Sequence, residues 1–316
     1  MTEAFLSLPS YALGELACSV EDSVAAGRTV TDVAGLRGAG FARHCMCGPE
    51  TTALDLAIAA VEPIAGQLGA LDAIIYATCL PLNGNIAPAA LYARSRDVKY
   101  LMDYPASRLQ AHLRQDAAQV IGLGQQACTS MLGSIRLARA LIAAEPAMRR
   151  ILCITSDRFP AGSIYEQAYN LISDGAAAVV VSDEPGGLRV LASGQITNGA
   201  MVIASDDETV GSYFSYTHRL ITQTLRSAGL AADQINWVVP QNTNITAWRV
   251  LSQMFKIGMD RVWCPTLPVC GHIISGDNVV NLKSLLDSGL TRPGDRVLML
   301  MAGYGMNWQC TIAEVV

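Results

Sequence analysis

Charged residues are scarce in this chain: Asp, Glu, Lys and Arg make up 16% of its 316 residues, against 51% hydrophobic ones. Such a balance supplies a large core and leaves no long stretch of disordered composition. Basic residues are the scarcer sign, 22 against 27 acidic, for a net charge of −5. No Lys and Arg cluster is dense enough to track a phosphate backbone, which argues against nucleic acid as a partner. Also missing is any apolar run of the roughly 18 residues a membrane span needs, and Met1-Thr2-Glu3-Ala4 lacks the basic flank of a signal peptide. The expectation is a cytoplasmic protein with no membrane partner. Nine cysteines are present but no C-x-x-C pair at zinc spacing, the nearest approach being Cys45-Met46-Cys47. They are expected to be reduced thiols, with no metal site among them.

What the chain does have is alternation. Residues 4–20 read as a strand and a turn, and Glu21–Ala26 as the start of a helix. Ala53–Leu68 carries Leu54, Ile58, Val61 and Ile64 at helical spacing, with Thr51 or Thr52 as its cap. Leu71–Thr78 is a short β-branched run that fits a buried parallel strand. Pro81–Tyr104 breaks the rhythm with Asn83-Gly84-Asn85, Pro88 and the small basic cluster Arg94, Arg96 and Lys99, and reads as an insertion. It is suited to walling a pocket, to a subunit contact, or to a plain solvated loop. Pro105–Gln115 predicts a helix, and Arg149–Ser156 and Ser173–Val181 predict strands. Glu184-Pro185-Gly186-Gly187 then marks an internal boundary.

The second half repeats the theme. Helices are expected over Ser212–Ala228, Ile245–Phe255 and Val279–Leu286, and strands over Ile235–Pro240, Val262–Leu267 and Arg296–Met301, with a last strand running to Val316. Two halves of alternating strands and helices, 1–186 and 187–316, imply an α/β fold built by duplication, with 81–104 inserted in the first.

The stretch most suggestive of chemistry is Gly122-Leu123-Gly124-Gln125-Gln126-Ala127-Cys128-Thr129-Ser130-Met131. Ala117–Leu123 before it reads as a buried strand. Ser130–Glu145 after it places Met131, Ile135, Ala138 and Ile142 on one helix face. A cysteine on a strand-to-helix turn lies near the positive end of the helix dipole and beside free backbone N–H groups, which favours a thiolate and supplies oxyanion donors. Of the four histidines, His44 and His112 read as surface or loop positions and His218 as a helix residue.

Five segments in order resemble the thiolase superfamily, and within it the ketoacyl-ACP synthase III branch. They are GQQACTSMLGSIRLARALI, SDGAAAVVV, WVVPQNTNI, CGHIISGDNVV and the terminal GYGMNW, and they span nearly the whole chain. The resemblance implies a five-layered αβαβα thiolase fold, a homodimer, and no tightly bound cofactor. It also implies an acyl-CoA or a phosphopantetheine-borne acyl group as the donor, delivered through a tunnel with basic residues at its mouth.

Two departures bear on the activity. Condensing members carry a catalytic His directly after the Pro of the segment matched by WVVPQNTNI and a catalytic Asn in the Gly–Asn loop; here those positions hold Gln241 and His272. His272 is followed five residues later by Asp277, a spacing at which the carboxylate can hold one ring nitrogen and leave the other as a base. Taken alone, Asp277 reads equally as a first-turn acid stabilised by the helix dipole, and His272 as a structural loop residue. Together with Cys128 they resemble the Cys-His-Asp offshoot of the family, found in natural-product pathways, that attaches acyl groups or selects starter units.

The expected chemistry is therefore loading of an acyl group onto Cys128 and its transfer, with His272 as base, to the hydroxyl or amine of a small-molecule acceptor. Backbone N–H groups of Cys128 and Gly305 are expected to hold the oxyanion, and Gln241 and Asn244 to offer further hydrogen-bond donors. Alternatives are a starter-unit condensing enzyme that consumes a malonyl thioester, and a non-catalytic partner subunit of a condensing pair. The family's tunnel-mouth Arg is replaced by Thr246, which leaves Arg43, Arg158 or the Arg94–Lys99 cluster as candidate contacts for the donor's phosphates or carrier.

Overall fold

The computed structural model describes residues 2–167, 170–203 and 206–316, the side chains of 206–210 excepted. The first half contributes β1 (Phe5–Leu13), the hairpin of β2 (Leu16–Ser19) and β3 (Arg43–Met46), β4 (Ala73–Ala77), β5 (Gln119–Leu123) and β6 (Arg150–Asp157). A two-residue hairpin, β7 (Glu166–Gln167) and β8 (Asn170–Leu171), precedes β9 (Gly175–Ser182). The second half contributes β10 (Leu188–Thr197), β11 (Trp237–Val239), β12 (Arg296–Gly303) and β13 (Asn307–Val315).

Nine of these strands form one sheet in the order β11-β12-β13-β10-β1-β9-β6-β4-β5. Counted within each half, the strands lie third, second, fourth, fifth, first: β5-β4-β6-β9-β1, and Val262-β11-β12-β13-β10. In both halves the third, second and fourth run parallel and the remaining pairs antiparallel. The duplication expected from the sequence is thus visible strand by strand. The halves meet where Phe5 and Leu6 of β1 pair with Arg189 and Leu188 of β10.

Among the described residues, ten helices dress the sheet. The short α1 (Val20–Ala25) and α2 (Val33–Gly38) lead to α3 (Ala53–Val61), which begins in a capping box: Thr52 Oγ1 accepts from Asp55 N at 3.1 Å and Asp55 Oδ2 from Thr52 N at 2.8 Å. Then follow α4 (Ala89–Ser95), α5 (Pro105–His112), α6 (Ser130–Ala144), α7 (Asp206–Ala228), α8 (Ile245–Phe255), α9 (Leu267–Cys270) and α10 (Asp277–Asp287).

Burial explains the layering. Ile74 and Tyr76 of β4 pack with α3 and α5 on one face, while Ala73 and Ile75 pack with α6 on the other. Likewise Leu298 and Leu300 of β12 face α7 and α8, and Val297 and Met299 face α6 and α10. Helices α6 and α10 therefore lie between two half-sheets, each covered outside by its own helices, giving αβαβα. Strands buried on both faces need no polar alternation, hence their continuous apolar runs. The stretch Ala127–Ala144 is long and apolar enough by composition to cross a membrane, but it is the central helix of this core and over half buried in it.

Three expectations need correction. The strand before Cys128 is not buried: β5 is the sheet's edge, with Gln119, Val120 and Gly122 exposed. Val262–Leu267 is no strand; only Val262 bridges to Val238, because Pro265 and Pro268 lack the N–H groups a ladder needs. His44 is fully buried on β3, between Ser23 Oγ and the Ile172 carbonyl, each at 2.7 Å. The sequence reading also passed over β10, whose outer positions are polar and partly exposed. The 81–104 segment carries α4, none of whose residues is buried, and presents Leu82, Val98, Leu101, Met102 and Tyr104 to the outside.

Candidate active site

The turn that carries Cys128 is strained and braced. Gln125 and Ala127 adopt φ of +63° and +47°, a region that side-chain-bearing residues seldom occupy. Thr129 Oγ1 donates to the Gln126 carbonyl at 2.7 Å, Gln309 Nε2 to Gln126 Oε1 at 2.8 Å, and Ser130 Oγ meets Ser275 Oγ at 2.7 Å. These contacts hold Cys128 in a tight turn just ahead of α6, at the positive end of its dipole.

A second strained loop faces it. Gly271 has φ +60°, and a Cβ there would lie 2.5 Å from the Leu171 carbonyl oxygen, so only glycine permits this approach. His272 follows, its N–H bonded to Leu171 O and its carbonyl accepting from Ser173 N, both at 2.8 Å. Ile274, a β-branched residue at φ +42°, closes the loop. The loop that carries His272 is thereby strapped to the first half of the chain.

The two loops bring the sequence-predicted residues together. His272 Nε2 lies 3.4 Å from Cys128 Sγ, and His272 Nδ1 lies 2.5 Å from Asp277 Oδ2. Asp277, the first residue of α10, also accepts from Ile273 N at 2.6 Å and Asn242 N at 2.8 Å. Cys128 is 8% exposed, His272 1% and Asp277 0%.

Electrostatics favour an ion pair in this setting. The Cys79 thiol directed at Cys128, together with the His272 ring, brings the Cys128 thiol down to about 5, against burial, which pushes it up. Burial alone would lower His272, but the charges of Asp277 and Cys128 outweigh it and raise the imidazole to about 10. Both shifts act in the direction of a thiolate–imidazolium pair. Cys79 is held in place by the buried carboxylate of Asp157, which accepts from Cys79 N at 2.8 Å and Leu80 N at 2.9 Å and is itself pushed up to about 7 by burial.

Several supporting residues were not read from the sequence. Asn242 Nδ2 donates to the Gly271 carbonyl at 2.8 Å and to Thr266 Oγ1 at 3.0 Å, and its Oδ1 accepts from Asn281 Nδ2 at 2.8 Å. This buried network fixes the His272 loop. Its only sequence signal is the polar run Gln241–Asn244 opposite Asn278 and Asn281 on α10.

Gln241 Oε1 accepts from Ala302 N at 3.1 Å, which leaves the Gln241 side-chain N–H groups for the site. Asn244 Oδ1 caps α8 through Thr246 N at 2.9 Å. Both line the same cavity as Cys128. Gly305 lines a second cavity beside Cys128, and a Cβ on Gly303 would come within 2.7 Å of Cys128 N.

Two cavities meet at the thiol. The first, 370 Å³, is walled by Tyr213, Phe214, Ala247, Val250 and Met306; the second, 550 Å³, by Cys79, Phe159, Ile172, His272 and Gly305. Tyr304 and Gln167 stand in both walls. The basic residues proposed from the sequence line neither. Arg158 donates to the Thr51 carbonyl, Arg43 is an exposed residue of β3, and Lys99 pairs with Asp97. The cation placed nearest to the first cavity along the chain is Arg249, exposed on α8 between the wall residues Thr246 and Val250.

Comparison with known proteins agrees with this architecture. Residues 124–199 match the family model of 3-oxoacyl-[acyl-carrier-protein] synthase III and residues 225–315 match that of its C-terminal part, together just over half the chain. The chain belongs to this synthase III-like family of the thiolase superfamily. Among its relatives, the β-ketoacyl-[acyl-carrier-protein] synthase III of Chlamydia caviae is 26% identical over 219 residues, 60% of this chain and 65% of that protein. The synthase of the same name from Thioalkalivibrio sulfidiphilus is 23% identical over 298 residues, 85% of this chain and 86% of that protein. The solved structure of the acyltransferase ChlB3 shares the fold at TM-score 0.83 and 22% identity, covering 99% of this chain and 98% of that one.

Proposed function

We propose that the chain is a thioester-dependent acyltransferase that moves an acyl group from coenzyme A or an acyl carrier protein to a hydroxyl or amine of a small molecule of secondary metabolism. The observation that carries this reading is the relay Asp277–His272–Cys128, with ring contacts of 2.5 and 3.4 Å.

The protons balance around that relay. Cys128 thiolate attacks the thioester carbonyl, and the oxyanion forms beside the N–H groups assigned to Cys128 and Gly305. As the donor's C–S bond breaks, the leaving thiolate takes the proton of His272 Nε2. Loading thus leaves a neutral imidazole whose Nδ1–H is held by Asp277, the form a general base requires. The acceptor then gives its proton to Nε2 while its oxygen or nitrogen bonds to the acyl carbon. The C–Sγ bond breaks and the thiolate–imidazolium pair returns. The donor thiol leaves before the acceptor reacts, so ping-pong kinetics are expected.

Decarboxylative condensation asks for something else: neutral donors on a thioester oxygen to stabilise an enolate. Gln241 retains such N–H groups, but the loop position that would hold the second donor is His272, tied to a carboxylate. Condensation with a malonyl thioester is therefore the second reading, favoured by the names of the sequence relatives. The non-catalytic reading fits poorly with an assembled thiolate site.

Exposed cations on and just after the outer helices, Arg249 of α8, Lys256 at its C-cap and Arg219 of α7, suit an acidic carrier or the phosphates of coenzyme A. The open edge of β5 and the exposed apolar residues of 81–104 support a homodimer.

The test is intact mass after incubation with acyl-CoAs and acyl carrier proteins. An adduct that Cys128→Ala abolishes, discharged by alcohols or amines without CO₂ release, is the expected outcome. A β-keto product with CO₂ release would refute transfer in favour of condensation; no adduct from any donor would remove both.

A further inference from the structure

Cys128 shares its site with a second thiol. Strands β4 and β5 run parallel as far as the pair Ala77 and Leu123, and Thr78 N extends the ladder to Leu123 O at 3.1 Å. Two loops leave that end of the sheet side by side: one carries Cys79, two residues past Ala77, and the other Cys128, five past Leu123. Both cysteines stand in the wall of the second cavity, and Cys79 packs against the core cluster that contains Cys128. The Cys79 loop is pinned from below by Asp157, which accepts from Cys79 N and from Asn83 Nδ2, both at 2.8 Å.

Acyl transfer gives Cys79 no bond to make and no proton to move, yet the pair has a chemistry of its own. A thiolate is the form of cysteine that peroxides oxidise, and a thiol beside the oxidised sulfur can resolve it to a disulfide. Cys45, Cys47, Cys153, Cys270 and Cys310 are buried, and burial pushes their thiols up, which makes them inert. Cys79 is only half-buried and opens on a cavity of 550 Å³, room enough for a small peroxide. In the reduced site, donation to the Cys128 sulfur and then burial hold Cys79 as a thiol. Oxidation of Cys128 removes the charge that Cys79 donates to and so frees it to react.

Taking Cys128 as the nucleophile of the reading above, we propose that Cys79 is the resolving cysteine of a reversible, peroxide-driven Cys79–Cys128 disulfide that switches the enzyme off and spares its nucleophile from irreversible oxidation.

The steps balance. The Cys128 thiolate attacks one peroxide oxygen, the O–O bond breaks, and the departing hydroxide takes the proton of His272 Nε2 as water, leaving a sulfenic acid. Cys79 sulfur then attacks Cys128 sulfur, the S–O bond breaks, and the hydroxide leaves as water with the proton of Cys79, passed through the now neutral His272. Each sulfur has given up one electron, and one peroxide has become two waters.

The test exposes the reduced full chain to hydrogen peroxide and reads it by intact mass and by mapping of unreduced peptides. The wild-type protein is expected to lose about 2 Da, with the Cys79 and Cys128 peptides linked and Cys128 closed to iodoacetamide; dithiothreitol should reverse all three. Cys79→Ser should instead gain oxygen at Cys128, and the share of its own starting reactivity that dithiothreitol restores should be about tenfold smaller than in the wild type.

Sulfinic or sulfonic Cys128 in the wild type without a linked peptide overturns the proposal, as does a link from Cys128 to any other cysteine. Recovery of Cys79→Ser as complete as that of the wild type overturns it too. The mapping reads the wild type itself, so it decides the matter even where Cys79→Ser fails to fold. A linked, reducible pair in a protein that no thioester acylates supports the disulfide and removes the acyl-transfer reading alone.

Discussion

His272 Nε2 stands 3.4 Å from Cys128 Sγ although 144 positions separate the two residues in sequence. The contact spans the two halves of the duplicated fold. One loop enters α6 and the other enters α10, the two helices of the central layer, and Ser275 Oγ ties the loops together through Ser130 Oγ at 2.7 Å and the Ala127 carbonyl at 3.1 Å.

The ion pair makes a prediction for the thiol. With the Cys128 thiol brought down to about 5, alkylation by iodoacetamide should be fast at neutral pH and fall only as the pH drops through that value, where the thiolate takes up its proton. In His272→Ala the cation is gone while burial remains, so the inflection should move upward. A wild-type profile that rises only near the ordinary thiol range would contradict the pair.

Asp277→Asn should separate the two half-reactions. The carboxylate holds His272 Nδ1 and stabilises the imidazolium, so its loss should slow acyl discharge by roughly 10³–10⁴-fold. The amide would also place an N–H₂ group among donors from Ile273 and Asn242. Stopped samples weighed by mass spectrometry should show acylated Cys128 persisting; discharge at the wild-type rate would take Asp277 out of the mechanism.

Gly271→Ala tests the fit of the His272 loop. The new methyl meets a backbone carbonyl at 2.5 Å on a residue at φ +60°, so neither side-chain adjustment nor a shift of one atom relieves it. A loss of about 2 kcal/mol or more is expected in urea unfolding, with an unchanged m-value. Wild-type stability would mean the loop relaxes freely.

The exposed edge strand predicts an assembly. Sedimentation should give about twice the 33.5 kDa of one chain. Val120→Asp, which puts a charge on β5, should lower that toward the monomer while far-UV circular dichroism stays the same. A wild-type monomer at micromolar concentration would end the homodimer reading.

Much of the architecture was legible because the chain states it locally. Strands buried on both faces give unbroken apolar runs such as Ile151–Ile154, and Thr52 with Asp55 writes a helix start in four residues. Cys128 and the five-residue spacing of His272 and Asp277 were legible for the same reason: each depends on short-range geometry.

Position in the sheet is another matter. The same apolar run could lie at the centre or the edge, and β5 proved to be an edge because no further strand pairs with its outer side among the described residues. Val262–Leu267 had the composition of a strand, but Pro265 within it and Pro268 just after it reduce the pairing to a single bridge.

The amino-acid sequence by itself determined the duplicated α/β plan, the nucleophile turn, and the presence of Gln241 and His272 in the two loops that face it, since these are matters of residue type and spacing. Only the tertiary structure decided that the His272 ring reaches Cys128 and lowers its thiol, and that Asn242 and Asn281 hold the His272 loop. Ionisation and hydrogen-bond satisfaction depend on what surrounds an atom after water has gone, and those surroundings come from segments far apart in the chain.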